Sequence, residues 1–175
     1  SGGVLSHAPN RAQAMMMLID AFQPEGITRI AVDSIFMMPH LGVLSTVNEK
    51  AATEVFEKDC LINLGTCVSV LNAGKMGEEC LSYKLNGAGK NEQGSLKTGE
   101  LVLLPLPENA VAEIEVVPKR GFDVGKGKGQ TLKKEIKGGV VGIVIDARGR
   151  PLLPPKDENL RKKSVQSWAN AFNAY

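Results

Sequence analysis

The stretch Val140-Val141-Gly142-Ile143-Val144-Ile145-Asp146-Ala147-Arg148-Gly149-Arg150-Pro151 decides the reading of this chain. Val140 to Ile145 carries no polar side chain, so it is expected as the central strand of a sheet covered on both faces. The charged group that follows, Asp146, Arg148 and Arg150, falls at the end of that strand, where ligands and partners dock. The same residues also suit a turn in which Asp146 accepts backbone amides or pairs with Arg148.

Six more short apolar segments precede it at roughly ten-residue spacing: Cys60 to Leu64, Cys67 to Leu71, Cys80 to Leu85, Glu100 to Leu106, Val111 to Val117 and Thr131 to Ile136. Seven strands parted by glycine-rich turns predict a small antiparallel sandwich or barrel. In Val111 to Val117, Glu113 and Glu115 alternate with apolar residues, which implies one wet face. Two breaker-rich segments, Asn86 to Gly99 and Gly121 to Gly129, are expected as surface loops. Arg150 to Pro155 is expected to be an extended connector.

Helical spacing marks the two ends. Asn10 is placed to cap a helix over Arg11 to Phe22, with Ala14, Met15, Leu18, Ile19 and Phe22 as its apolar side and Pro24 as its stop. Ile27 to Val32 alternates and is rich in β-branched residues, as a strand would be. Pro39 to Val47 and Glu49 to Lys58 follow as short helices, the first opened by proline. Asp157 is placed to cap a terminal helix over roughly Glu158 to Ala174, with Leu160, Val165, Trp168, Ala169 and Phe172 on its apolar side. The fold class expected is α+β.

Composition narrows the function. The 175 residues are 43% hydrophobic and 23% charged, which supports a packed core. No apolar run approaches the length of a membrane span, and the N-terminus does not read as a signal peptide, so no membrane partner and a cytoplasmic location are expected. Residues 1–100 carry 8 basic and 11 acidic groups, residues 101–175 carry 13 and 8, giving −3 against +5. Aromatics are only 5%, too few for the stacking that single-stranded nucleic acid requires, and nucleic acid is not expected as a partner.

Little points to catalysis or metal binding. Cys60, Cys67 and Cys80 have neither zinc nor disulfide spacing and are expected as reduced thiols. The two histidines, His7 and His40, supply no cluster. Gly121 to Gly129, with Lys126 and Lys128, superficially suggests a phosphate cradle, but the Gly-Lys-Ser/Thr-helix order is missing and a mobile hairpin loop is expected instead. Asp33 and His40 flank Met37 and Met38, an arrangement that suits a core or helix-cap role. Five of the six methionines lie in the first forty residues, which predicts a core region partly uncovered. Lys133-Lys134 and Arg161-Lys162-Lys163 are expected on solvated faces.

Ser1-Gly2-Gly3-Val4-Leu5-Ser6-His7-Ala8-Pro9, Asp20-Ala21-Phe22-Gln23-Pro24-Glu25-Gly26-Ile27-Thr28, Pro39-His40-Leu41-Gly42-Val43-Leu44, Leu61-Ile62-Asn63-Leu64-Gly65-Thr66 and Gly142 to Pro151 together resemble the C-terminal part of the glutamate mutase accessory protein family, MutL or GlmL. This is not the mismatch-repair protein of similar name. The resemblance implies an actin-like ATPase of the sugar-kinase and heat-shock-chaperone type, associated with adenosylcobalamin-dependent aminomutases as a reactivating factor. It implies that residues 1–58 are the tail of an ATPase subdomain, with Arg11 to Phe22 and Pro39 to Val47 as its closing helices. Residues 59–155 would be a β-rich domain, and 156–175 a helix packed on it. Gly2 and Gly3 would match the glycine turn on the adenosine side of the nucleotide.

In such a family the phosphate loops and metal carboxylates lie in the N-terminal ATPase part. This chain is therefore expected not to hydrolyse ATP and to hold no cofactor, with ATP and Mg belonging to the longer parent. Its expected partners are that ATPase domain and the mutase, met through Asp146, Arg148 and Arg150 and through the Lys126 and Lys128 loop. Two other readings stand beside this one: a free-standing small-ligand or anion-binding enzyme domain, and a structural domain that associates with itself as a homo-oligomer.

Overall fold

The computed structural model describes residues 2–72 and 74–172. Its chain opens with a single helical turn, α1 (Gly3–Ser6), followed by α2 (Arg11–Phe22). Asn10 caps α2 by accepting the Gln13 N–H at 2.8 Å, and Gln23 ends it in a left-handed conformation just before Pro24. Strand β1 (Gly26–Asp33) leads to a helical pair, α3 (Met38–Ser45) and α4 (Glu49–Val55), the second capped by Asn48. The expected helix over Glu49 to Lys58 is shorter than read, because a π-helical turn over Phe56–Cys60 finishes it.

The rest is β-rich: β2 (Leu61–Ser69), β3 (Glu79–Gly87), β4 (Lys90–Lys97), β5 (Leu101–Leu104), β6 (Val111–Pro118), β7 (Leu132–Lys137) and β8 (Gly142–Asp146), closed by α5 (Glu158–Ala171) under an Asp157 cap. These strands form two four-stranded sheets, β1-β2-β8-β5 and β4-β3-β6-β7. The choice between barrel and sandwich is thereby decided for a sandwich. All pairings are antiparallel except β2 with β8.

As expected, the apolar strand β8 is central, lying between β2 and β5 with every residue buried. One face of its sheet packs on the second sheet, where Val68, Ile143 and Ile145 meet Leu81, Leu85 and Ile114. The other face carries α2 and α5, with Met15, Ile19, Trp168 and Phe172 packed against Val32, Leu64 and Val144. The layers therefore run helices, sheet, sheet. The first sheet draws strands from both sides of residue 58, since β1 pairs along its length with β2.

Two expectations about the strands are corrected. The segments Cys60 to Leu64 and Cys67 to Leu71 are not separate strands but one, β2, because Gly65 forms a bulge rather than a turn. The register moves from Ile30 opposite Gly65 to Ala31 opposite Asn63, leaving Leu64 as the extra residue. At φ +149° Gly65 lies so close to Gly142 that a Cβ would sit 1.8 Å from its carbonyl oxygen, so this parallel crossing requires glycine.

The second correction concerns Asn86 to Gly99, which is no loop. It holds the β3–β4 hairpin, turned by Ala88 and Gly89 at φ +50° and +73°. Strand β4 buries only Leu96, so an edge strand with a polar sequence gave no hydrophobic signal.

Candidate functional site

Asp146 ends β8 with its side chain fully buried, and the chain then doubles back through Gly149. Burying a carboxylate requires partners for both oxygens, and the next four residues supply them. Asp146 Oδ1 accepts the Arg148 backbone N–H at 2.9 Å and Arg148 Nε at 3.0 Å. Oδ2 accepts Arg148 Nη2 and Arg150 Nη2, each at 3.0 Å. Burial pushes the Asp146 carboxyl up, but the two guanidinium charges outweigh it and hold the group below the usual aspartate range.

The cluster reaches across the sequence. Arg148 Nη2 also donates to Asp20 of α2 at 2.7 Å, and Arg150 donates to Ser69 Oγ of β2 at 2.8 Å and to the Pro24 carbonyl at 3.0 Å. Gln23, at the end of α2, accepts the Leu152 N–H at 2.6 Å. On its remaining side Arg148 lies 4.9 Å from the Trp168 ring of α5, whose indole N–H donates to the Gly99 carbonyl at 2.7 Å. Asp146, Arg148 and Arg150 thus join α2, the first sheet and α5.

Their side chains are at most 3% exposed, so they face other segments of this chain rather than an outside protein. The reading of Asp146 as an acceptor of backbone amides and a partner of Arg148 is met. Its bonds to α2 lay beyond what sequence spacing reveals.

Lys126 and Lys128 are elsewhere, exposed on the loop between β6 and β7. The first half of that loop is anchored. Phe122 and Val124 are buried in the inter-sheet core, and Asp123 accepts the Gly125 and Gly127 amides at 2.7 and 3.0 Å. Those amides are committed within the loop and do not form a phosphate cradle.

Gly2 and Gly3 start α1, with the Gly2 carbonyl accepting the Leu5 and Ser6 amides. Ser1 lies outside the described residues. Ser6 Oγ donates to the Asp33 carbonyl at 2.8 Å, tying this turn to β1. The cap role of Asp33 is met, since its carboxylate accepts the Met37 and Met38 amides at 3.1 and 2.8 Å at the start of α3, while His40 is exposed.

All three cysteines are free and buried. Burial, and then the charge of Asp146, push the Cys67 thiol up to about 12. Among the described residues no three His, Cys, Asp or Glu side chains gather where a metal could be held, and no helix is long and apolar enough to cross a membrane.

The methionine-rich start is split between core and cleft. Met15 is fully buried, whereas Met16 and Met17 line a cleft of about 880 Å³ with Val4, Pro9 and Ala21, rimmed by His7, Gln13 and Asp20. A second cleft, of about 650 Å³, lies under Lys126, Lys133 and Lys134. The first sixty residues also expose Val4, Ile35, Phe36, Val43, Val47 and Phe22, which was expected on the apolar side of α2 but lies beyond its buried turns. The methionine count signalled this surface, but the position of the cleft depends on how α1 folds against α2.

Comparison with curated proteins and with solved structures gave no match for this chain. A family model described as MutL protein matches residues 1–60, the part that holds α1 to α4, β1 and the Asp20 end of the cluster. Over that first third the chain is similar to MutL, in the sense of the glutamate mutase accessory protein and not the mismatch-repair protein.

Proposed function

We propose that this chain is a non-catalytic region of an ATP-dependent, chaperone-like accessory protein that reactivates an adenosylcobalamin-dependent aminomutase of the glutamate mutase type. The observation that carries the reading is the MutL match over residues 1–60, in a chain whose matched α2 is bonded through Asp20 to Arg148 at the end of the central strand. Residues 1–58 are then the closing piece of an actin-like ATPase subdomain, and Gly2 and Gly3 its contact with the adenosine side of the nucleotide.

Among the described residues the loop amides at Gly125 and Gly127 are taken by Asp123, and no three His, Cys, Asp or Glu side chains gather where a metal could be held. In this reading ATP chemistry belongs to the ATPase part of the longer parent. The role of this region is coupling: a nucleotide-dependent shift of the ATPase part moves α2, and the contacts of half-exposed Asp20 with buried Arg148 and Asp146 carry the sandwich with it as one body. The sandwich then meets the mutase with its outer surfaces, including the Lys126 and Lys128 loop, while damaged cofactor leaves or fresh cofactor enters.

A calorimetric titration of the chain against a cobalamin-dependent aminomutase, with ATP alone and cobalamin alone in parallel, tests this. Binding to the mutase and to neither small molecule is expected. Binding to ATP or cobalamin without the mutase contradicts the reading. The exposed apolar residues of the first third favour self-association as a second reading, and a mass that rises with concentration would support it.

A further inference from the structure

Helix α5 is fastened to the body at one end only. Residues 158–163 and 165–167 are exposed, and its grip comes from Trp168, Ala169 and Phe172, at 6%, 4% and 1% exposure. The segment that leads into it contains Pro151, Pro154 and Pro155 and forms no regular element. A helix of this length is marginal in water unless tertiary packing holds it, and for most of α5 there is none. By contrast α2 buries Ala14, Met15, Leu18 and Ile19 along its length and is bonded through Asp20 and Gln23.

What lies beneath α5 is distinctive. Trp168 covers the Arg148 guanidinium, and the neighbouring floor is Leu101 and Val144. Arg148 Nη1 is buried and makes no hydrogen bond among the described residues, a cost that opening to water would relieve. Arg148 would keep its bonds to Asp146 and Asp20 after such an opening, because neither comes from α5.

We infer that α5 is a releasable strap. It leaves the first sheet as a unit while α2 and the sandwich stay folded, and it uncovers an apolar floor with a guanidinium at its edge. The occupant of that floor in the closed state is α5 itself. Local opening of this kind belongs to elements with few buried contacts. The strap stands on packing alone and does not depend on the mutase reading.

Trp168 is the chain's single tryptophan and reports the strap directly. Hydrogen exchange of the full chain, followed by mass spectrometry across a low-urea series, is to be compared with Trp168 emission. Amides of residues 165–171 are expected to exchange at least 100-fold faster than those of Met15 to Ile19, with little dependence on urea. Trp168 emission should shift to the red before the sheet amides lose protection. Equal protection in α5 and α2, with coincident emission, overturns the strap.

The variant Trp168→Phe keeps a ring over Arg148 but loses the bond to Gly99. It is expected to speed α5 exchange about threefold and leave α2 unchanged. An equal acceleration of both helices would make α5 part of the global unit and also overturn the strap.

Discussion

Helices α2 and α5 lie on the same face of the first sheet and share one apolar layer, yet they are held in opposite ways. Helix α2 packs through successive turns and ends in side-chain and backbone bonds to the segment after β8, whereas α5 rests on a tryptophan and a phenylalanine near its end. Helix length does not explain this, since α2 is the shorter, at 12 residues against 14. Integration depends on how many turns bury a side chain and on whether a buried charge needs the helix. The helix inside the MutL match is the one that the core cannot release.

The largest effect is expected at Asp146. Asp146→Asn leaves two buried guanidinium groups facing a neutral amide and should cost about 3–5 kcal/mol in urea unfolding, as broken buried ion pairs do. It should loosen α2 as well as β8.

Acid acts on the same group by degrees. Because the folded carboxyl titrates below its unfolded value, its contribution is complete above the ordinary aspartate pKa, about 3.9. That contribution is lost as pH falls from there through the lower folded value. Unfolding measured between pH 5 and 2 should show this loss in the natural chain, and Asp146→Asn should flatten part of it.

Trp168→Ala sharpens the contrast from the other side. A large buried aromatic ordinarily costs about 3–5 kcal/mol when cut to alanine. With α5 opening before the body, the urea transition of the sheets and α2 should move by less than about 1 kcal/mol, while α5 loses its exchange protection. The smallest effect is expected at the exposed loop, where Lys126→Ala with Lys128→Ala should change thermal stability by no more than about 0.5 kcal/mol.

What the sequence shows and hides follows the same physics. The caps at Asn10 and Asp157 depend on neighbours three residues away and could be read directly. So could β8, because a run without polar residues fits only a covered strand. The Asp146–Arg148 pair was also within reach, lying inside one turn.

The bond from Arg148 to Asp20 spans 128 residues and has no local signature. Nor does Gly65, which reads as a turn but serves a close crossing with Gly142. Strand β4 stayed hidden because a polar edge strand looks like a loop. The clefts beside α2 and under Lys126 are gaps between elements, which no single segment encodes.

The MutL-like third and the β sandwich are expected to behave as one cooperative body joined at Asp146. Native-state hydrogen exchange of the α2 amides at Met15 to Ile19, set against the β8 amides at Ile143 to Asp146, tests it most directly. The two sets should exchange with the same free energy and the same urea dependence, and should fall together in Asp146→Asn. If α2 instead opens at markedly lower free energy while β8 keeps its protection, the two parts are separate bodies and the coupling role fails.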